Sequence, residues 1–151
     1  MPALPKPKIL VLHGPNLNLL GRREPHIYGT TTLADIDDRL GALAGELDVE
    51  LESFQSNHEG ELIDRLQQRI DGVQGCIFNP AGLTHTSVAL HDCIKTMPFP
   101  VVEVHLSNPQ AREDFRRRSL TGEAARGAVM GFGWRSYTTA LRALVELIRD
   151  V

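Results

Sequence analysis

Cysteine is scarce in this chain, which has only Cys76 and Cys93 among its 151 residues. The two lie among apolar neighbours and form no CxxC pair, which favours buried thiols in a reducing compartment. Long apolar runs are missing as well, because the longest, such as residues 9–12, are far too short to cross a bilayer. We therefore expect no membrane-embedded segment.

Two groups of binding motifs are also missing. The sequence has neither a GxxxxGKS/T phosphate loop nor a full GxGxxG after its first predicted strand, and residues 131–133 give only a fragment of one, which argues against a nucleotide cofactor. His26, His58 and His91 have no partners at metal-ligand spacing, so we expect no metal. The net charge of −3 and the pI near 6.0 argue against a nucleic-acid binder with a basic surface.

The first residues, Met-Pro-Ala-Leu-Pro-Lys-Pro-Lys, contain three prolines and no apolar core, which is not typical of a secretory signal. We expect residues 1–7 to be a short disordered lead-in and, by default, the protein to be cytoplasmic. The content of 42% hydrophobic and 23% charged residues is close to globular averages. The length is that of one ordinary domain, so we predict a single domain over residues 1–151.

Short apolar runs alternate with helical patterns along the chain. Apolar residues at strand spacing predict strands at 8–12, 49–55, 76–78, 101–106 and 128–130, the second nearer an edge because its residues alternate. Helical spacing predicts helices over 33–47, 62–70, 88–97 and 141–148, and a short charged helix through Arg112 and Arg116. Strands alternating with helices predict an α/β, flavodoxin-like three-layer sandwich with a five-stranded parallel sheet in the order 2-1-3-4-5.

Histidine-bearing turns follow three of the predicted strands. Residues 13–18 follow the first strand, residues 79–87 the third, and residues 103–108 cover the end of the fourth. These strands are neighbours in the predicted order, so their polar ends should converge on one crevice, where ligands of such sheets bind. Helix caps would account for Ser87 and Asn108, but not for three histidines at adjacent strand ends. The convergence favours a small-molecule site.

The long loop over residues 20–29 is a second unusual feature. It contains two glycines, one proline, adjacent arginines and one of only two tyrosines in the chain. Loops of this length are uncommon in compact α/β domains and often serve as lids. A solvated arginine pair on a surface loop is the alternative from composition alone. Because the loop leaves the strand end that carries Asn16, we predict a mobile lid over the crevice.

Five blocks of the sequence are distinctive when taken together. They are Gly14-Pro-Asn-Leu-Asn18, Gly21-Arg-Arg-Glu-Pro25 with Tyr28-Gly29, Gln55-Ser-Asn-His-Glu-Gly-Glu-Leu-Ile-Asp64, Asn79-Pro-Ala-Gly-Leu-Thr-His-Thr-Ser87, and Glu103-Val-His-Leu-Ser-Asn108 with Ala111-Arg112-Glu113. In order and spacing, and over nearly the whole chain, these blocks resemble the type II 3-dehydroquinate dehydratases (type II dehydroquinases). The unrelated type I enzymes use a Schiff-base lysine, whereas the lysines here, Lys6, Lys8 and Lys95, lie outside the blocks that form the crevice.

The resemblance implies an anti elimination of water that converts 3-dehydroquinate to 3-dehydroshikimate in the shikimate pathway, without metal or cofactor. It implies Tyr28 as the base, with Arg23 as the cation that favours the phenolate, since a free tyrosine has a pKa of about 10. It implies His105 as the general acid, and Glu103, on the same face of the strand, can hold and charge its imidazole. Asn16 would hold a water against the developing enolate.

The resemblance also implies substrate-binding residues and an assembly. Asp92 would reach the site of a neighbouring subunit in a homododecamer built as a tetramer of trimers, although a solvated helix carboxylate is the alternative for it. The chain departs from the family at Arg118 and Leu120, where many members have a histidine and an aromatic residue, and we expect this to affect packing or subunit contacts. The other implied substrate-binding residues are Asn79, His85, Leu106, Ser107, Arg112 and Arg116.

Three other functions are compatible with parts of this pattern. One is quinate breakdown by the same reaction, and another is a flavodoxin-like domain that binds an anion without turnover. The third is a phosphate-handling hydrolase, for which the sequence offers no suitable nucleophile or phosphate loop. An anion-binding domain would explain Asn79, Ser107 and Arg116, but it would leave Tyr28 and His105 unexplained.

Overall fold

A computed structural model describes residues 5–22 and 24–150; Arg23 and residues 1–4 of the predicted lead-in lie outside the described residues. No helix in these two ranges has the length and apolarity that a membrane span requires. The strands are β1 (Lys8–His13), β2 (Glu50–Gln55), β3 (Gly75–Asn79), β4 (Val101–His105) and β5 (Gly127–Met130). The α-helices are α1 (Pro25–Tyr28), α2 (Leu33–Leu47), α3 (Glu59–Gln68), α4 (Val88–Thr96) and α5 (Arg135–Arg149).

The five strands form one sheet in the order β2-β1-β3-β4-β5, and each neighbouring pair is parallel. This is the predicted flavodoxin-like order, and β2 is at the edge as its alternating pattern indicates. The order makes β1, β3 and β4 neighbours, and His13 is paired with Asn79 across the first two. The carboxyl ends of these three strands therefore meet at one edge of the sheet.

The hydrophobic core has one layer on each face of the sheet. Ile9 and Val11 of β1 face the layer that includes α2 and α5, whereas Leu10 and Leu12 face the layer that includes α3 and α4. Alternate residues of a strand point to opposite faces, so a strand covered on both sides is apolar throughout. This accounts for the continuous apolar run that begins the first strand.

The predicted short charged helix through Arg112 and Arg116 is wrong. The segment forms two separate 3-10 turns, at Pro109–Ala111 and Asp114–Arg116. The Asn108 side chain accepts a hydrogen bond from the backbone N–H of Gln110 and starts the first turn. The backbone then becomes extended at Arg112, which ends that turn. The two arginines therefore do not lie on one face of a helix.

Gly14 is where β1 meets the turn that follows β3. Its N–H donates to the carbonyl of Asn79 at 2.8 Å. A β-carbon at this position would lie 2.6 Å from the carbonyl oxygen of Pro80 and 3.0 Å from that of Asn79. Both obstacles are backbone atoms, which cannot rotate away as a flexible side chain can. The close approach of the two strand ends therefore requires glycine.

Replacing Gly14 with alanine is expected to lower the free energy of unfolding by about 1–3 kcal/mol, the usual cost of overpacking. Urea unfolding would measure the change. Gly41→Ala in α2 is a matched control, because a β-carbon there meets nothing within 4 Å. That control should stabilise the protein by about 0.5–1 kcal/mol, because alanine replaces glycine inside a helix. Equal stability of Gly14→Ala and the wild type would contradict the steric argument.

Candidate active site

A pocket lies at the carboxyl ends of β1, β3 and β4, where the fold predicts a ligand. It brings together the sequence-predicted site residues apart from Arg23, Glu103 and Asp92. Arg23 lies outside the described residues, Glu103 is buried behind His105, and Asp92 is exposed on α4 and does not line the pocket. The lining residues are Asn16, Leu17, Tyr28, Asn79, Ala81, Gly82, His85, His105, Leu106, Ser107, Pro109, Arg112 and Arg116.

The wall of this pocket is suited to an anion. Arg112 and Arg116 supply two positive charges, of which Glu113, outside the lining, offsets one: its carboxylate lies 2.7 Å from Arg116 Nε and 3.9 Å from Arg112 Nε. None of the lining side chains in the described part of the chain is a carboxylate. The backbone N–H groups of Leu106 and Ser107, just after β4, donate to no acceptor among the described residues. Two such donors beside two guanidinium groups can bind a carboxylate. In the same ranges, no cluster of three or more His, Cys, Asp or Glu is placed to hold a metal.

Glu103 and His105 form a buried pair on β4. They are two positions apart, so both side chains lie on the same face of the strand. Nε2 of His105 lies 3.1 Å from Oε2 of Glu103, whose side chain is 2% exposed. Burial raises the pKa of Glu103, but the hydrogen bond and charge of His105 and the hydroxyl groups of Thr121 and Ser119 outweigh it, so this pKa lies below its usual value. Glu103 is therefore a carboxylate at neutral pH.

The sequence reasoning missed the residues that hold Glu103 from the other side. Ser119 Oγ lies 2.9 Å from Oε2 of Glu103, and the Thr121 hydroxyl donates to Oε1. The N–H of Gly122 donates to Ser119 Oγ at 2.7 Å, and a β-carbon on Gly122 would lie 2.9 Å from the Glu103 carboxylate. In the sequence these residues form only a short motif, in which Ser119 and Thr121 are followed by Gly122. Nothing in this motif indicates that its hydroxyl groups bind the carboxylate of Glu103.

Replacing Thr121 with valine is expected to lower the free energy of unfolding at pH 7 by about 1.5–3 kcal/mol, since it removes a hydrogen bond to a buried charge. The lowered pKa of Glu103 stabilises the fold above its unfolded pKa of about 4.3, and this contribution is lost as the pH falls through the folded pKa. Losing the Thr121 hydroxyl raises the pKa of Glu103. The difference in unfolding free energy between the wild type and Thr121→Val should therefore shrink in acid.

Urea unfolding of both proteins between pH 7 and pH 3 would check the expectation for Thr121→Val. Thr138→Val is a matched control, because the Thr138 hydroxyl donates to the carbonyl of Arg135 and faces no carboxylate. The loss of unfolding free energy in Thr138→Val should not depend on pH. A Thr121→Val deficit that stayed constant down to pH 3 would show that the hydroxyl does not act through the Glu103 charge.

Tyr28 enters the pocket from the end of α1, and Arg112 lies over its ring. The guanidinium carbon is 5.1 Å from the ring centroid. Arg112 Nη1 also donates to Ser107 Oγ at 3.2 Å, while its buried Nε has no hydrogen-bond partner in the described part of the chain. The guanidinium group thus has donor capacity to spare beside a phenol. Arg112 was predicted only as a substrate-binding residue, and its position adds electrostatic contact with Tyr28.

Main-chain carbonyls of the segment that follows Arg117 hold two histidines, His85 just before α4 and His91 within it. Nδ1 of His85 lies 2.8 Å from the carbonyl oxygen of Arg118, and Nδ1 of His91 lies 2.7 Å from that of Leu120. The N–H of Leu120 donates in turn to the carbonyl of Thr84. A carbonyl only accepts, so Nδ1 of His85 carries a proton. Nε2 is the His85 nitrogen left for the pocket.

His13 does not join the crevice, so the predicted convergence of three histidines is wrong for this residue. Its side chain is fully buried beneath the layer of α2 and α5, 2.9 Å from the hydroxyl of Tyr137 and 3.0 Å from Asp37. Ile9 and Val11 already face the layer of α2 and α5, and a strand alternates its faces, so His13 must face that layer too. The pocket contains only His85 and His105 of the three.

A family profile, related sequences and solved structures all match this chain to the same family. The sequence profile of the family described as Dehydroquinase class II matches residues 7–145. A 3-dehydroquinate dehydratase of Desulforudis audaxviator is 57% identical over 141 residues, 93% of this chain and 94% of that protein. One of Endomicrobium trichonymphae is 50% identical over 141 residues, 93% of this chain and 99% of that protein.

Solved structures agree with the sequence relatives. A type II dehydroquinase from Butyrivibrio crossotus superposes with a TM-score of 0.90 at 38% identity, covering 92% of this chain and 97% of that one. One from Propionibacterium acnes gives 0.88 at 40% identity, covering 91% and 95%. The match in sequence extends over both the strand ends and the pocket residues that follow them. The chain belongs to the class II dehydroquinase family.

Proposed function

We propose that this protein is a 3-dehydroquinate dehydratase, a hydro-lyase that removes water from 3-dehydroquinate to give 3-dehydroshikimate in the shikimate pathway. The observation that carries the proposal is that Tyr28 and His105 line one pocket with Arg112 and Arg116. An elimination needs a base, an acid and a means of holding an anionic substrate between them. The family membership and the names of its relatives support the same reaction.

Tyr28 is proposed as the base that takes the proton from the carbon beside the ketone. A phenol with a pKa of about 10 needs a nearby positive charge to act as a phenolate at neutral pH. Arg112 supplies such a charge over the ring, 5.1 Å from its centroid. Arg23, which lies outside the described residues, stays in the proposal as a second cation, in the role that the family resemblance implies.

His105 is proposed as the acid that protonates the leaving hydroxyl. Its Nε2 lies beside the Glu103 carboxylate, so Nδ1 is the nitrogen that would face the substrate. Glu103, fixed by Ser119 and Thr121, would keep the imidazole in one orientation while the proton leaves. Positioned acid and base groups typically contribute about 10²–10⁴-fold in rate.

The remaining residues are proposed to bind the substrate and the enolate. The substrate carboxylate would bind the N–H groups of Leu106 and Ser107 together with the Ser107 hydroxyl. Asn16, in a left-handed conformation with φ of 71° at the pocket rim, would hold a water against the enolate oxygen. The ring hydroxyls of the substrate would bind Nε2 of His85 and the side chains of Asn79, Arg112 and Arg116.

An ultraviolet assay tests the proposal directly, since the product is a conjugated enone and the substrate is not. Purified protein with 3-dehydroquinate should produce a steady rise in enone absorbance. A protein that binds the substrate by calorimetry without producing enone would be the alternative anion-binding domain. The same reaction in quinate breakdown would give the same signal, and the genes beside this one would distinguish the two pathways.

The homododecamer, a tetramer of trimers, and the cytoplasmic location also belong to the proposal. Asp92 is exposed on α4, away from the pocket of its own chain, which supports a role towards a neighbouring subunit. Sedimentation velocity should give twelve times the chain mass of 16.7 kDa. Cell fractionation would test the location.

The loop over residues 20–29 is proposed to act as a lid that becomes ordered when ligand binds, since it must bring Tyr28 to a site where excluding water strengthens electrostatic interactions. We expect trypsin to cleave after Arg22 in the free enzyme and much more slowly with a saturating cyclohexene carboxylate. Cleavage after Arg149, near the carboxyl end, is the internal control. Equal rates after Arg22 with and without ligand would exclude a ligand-gated lid.

A further inference from the structure

The proposed mechanism uses no residue of the block Gln55-Ser-Asn-His-Glu-Gly-Glu-Leu-Ile-Asp64, although this block is one of the five that resemble the family. It begins at the last residue of the edge strand β2 and continues into α3. None of residues 50–64, all of which the structure describes, lines the pocket. The side chains of Gln55 and Asn57 instead reach across to the turn that follows β1.

The turn after β1 has the form of a type II β-turn. The carbonyl of Gly14 accepts the N–H of Leu17 at 3.4 Å, so Pro15 and Asn16 are its two central residues. Asn16 has φ of 71° and ψ of −6°, close to the values that the second central residue of a type II turn requires. Proline suits the first central position, and asparagine tolerates the left-handed conformation of the second. A type I turn at the same place would need a negative φ at Asn16 and the opposite orientation of the Pro15–Asn16 peptide.

Asn57 binds the peptide group whose orientation differs between these two turns. Its Oδ1 accepts the backbone N–H of Asn16 at 2.9 Å. Because that N–H belongs to the peptide between the two central residues, the bond is lost if the peptide turns to its type I orientation. Asn57 therefore stabilises the type II turn against the type I turn, and with it the direction in which the Asn16 side chain leaves the main chain.

Gln55 holds the same turn at a second point. Its Nε2 donates to the carbonyl of Gly14 at 3.2 Å and to Oδ1 of Asn57 at 3.2 Å. A main-chain carbonyl only accepts and a main-chain N–H only donates, so the nitrogen of Gln55 faces Gly14 and the oxygen of Asn57 faces Asn16. Gln55 is paired with His13 across the β1–β2 ladder, which places it beside the turn. The end of the edge strand thus supports the turn of its neighbour.

We propose that Asn57, oriented by Gln55, is a positioning residue that holds Asn16 in its left-handed conformation and so places the Asn16 side chain at the wall of the pocket. The inference rests on the proposed function and deepens it, because Asn16 is the residue proposed to hold a water against the enolate. The enolate charge appears only along the reaction path, so a misplaced Asn16 should slow the chemical step and leave substrate binding unchanged. Asn57 is exposed, so its replacement should not disturb the core.

The test is a double-mutant cycle between Asn57→Ala and Asn16→Gly in steady-state dehydration of 3-dehydroquinate. Asn57→Ala should lower kcat about 5- to 50-fold, part of the effect of removing an oxyanion-type donor outright, with KM within about 2-fold. Asn16→Gly removes the side chain but favours the same turn, since glycine adopts positive φ freely. In that background Asn57→Ala should leave kcat unaltered, because the amide that it positions is gone. A merely structural hydrogen bond would lower the unfolding midpoint without changing kcat.

Gln74→Ala is the matched control for Asn57→Ala. Gln74 is exposed, and its Oε1 accepts the backbone N–H of Lys8 at 2.7 Å, at the opposite end of β1. The control removes the same kind of hydrogen bond from the same strand and should leave kcat and KM unchanged. The proposal would be overturned by a folded Asn57→Ala enzyme with wild-type kcat, by one in which only KM rises, or by one whose loss persists in the Asn16→Gly background.

Crystal structures of two variants provide a second measurement that does not depend on turnover. Asn57→Ala should show Asn16 outside the left-handed region, whereas Asn57→Asp, which keeps an oxygen acceptor at this position, should keep φ of Asn16 near its value of 71°. A left-handed Asn16 in Asn57→Ala would overturn the proposal. An inactive wild-type protein would instead overturn the proposed function, and the two structures would still decide whether Asn57 holds the turn.

Discussion

The Tyr28→Phe enzyme is expected to fold, to bind substrate and to lose at least about 100-fold in kcat, the lower range for a positioned base. The phenol oxygen is the atom proposed to take the proton, and the change removes only that oxygen. The ring would still lie beneath the Arg112 guanidinium, so the electrostatic contact in the pocket persists. Steady-state kinetics and calorimetric affinity for 3-dehydroquinate would measure the two effects separately.

The chain contains its own control for this experiment, since it has only two tyrosines. Tyr137 is buried, is bonded to His13 and does not line the pocket, so the same chemical change there should spare kcat. At Tyr28 it should reduce kcat and spare the dissociation constant. A folded Tyr28→Phe enzyme with wild-type kcat would remove Tyr28 from the mechanism. A loss confined to affinity would make it a binding residue.

The second large effect is expected for His105→Ala, which should reduce kcat by about 10²–10⁴-fold, the range for a general acid. The leaving hydroxyl departs poorly without a proton, and no other histidine of the pocket has a carboxylate partner like Glu103. Asn79→Ala is the contrasting variant and should chiefly raise KM. Single-turnover rates and dissociation constants for both variants separate chemistry from binding.

Removing His105 also deprives the buried Glu103 of its imidazole neighbour, so the variant is expected to be less stable. His105→Gln, which keeps a hydrogen-bond donor near Glu103, is a second variant for that reason. If the imidazole transfers the proton, kcat should fall by a similar factor in His105→Ala and His105→Gln. Should His105→Ala change only the dissociation constant of the substrate, the acid assignment would be wrong.

The fold could be predicted from the sequence because its signals are local. The apolar pattern of α2 begins at Leu33 and ends at Leu47 in the structure as in the prediction, and the Thr32–Asp35 capping box fixes its start. The strand order followed from alternation of strands and helices, which permits few topologies. The short charged helix failed because the Asn108 side chain competes with the backbone for the Gln110 N–H, a local contact that periodicity does not register.

The candidate site could be predicted only in part. The residues after β3 and β4 were brought together as expected, because strand ends determine their position, whereas the roles assigned to them stay predictions. His13 was expected at the crevice because it was counted with the turn after the first strand, whereas it is the last residue of β1 and follows the strand alternation. Ser119 and Thr121 were missed because each acts through Glu103, more than fifteen positions away, and no spacing rule connects such residues.

The segment that supports His85 and His91 does so through the carbonyl oxygens of Arg118 and Leu120, not through their side chains. Every amino acid supplies the same carbonyl, so the identities at these two positions can change over evolutionary time without disturbing the imidazoles they hold. We therefore expect substitutions at 118 and 120 to leave these two imidazole contacts in place. Only proline at 120 is forbidden by this arrangement, since the N–H of Leu120 is bonded to Thr84. At both positions the support of the imidazoles depends on the main chain and not on the side chain.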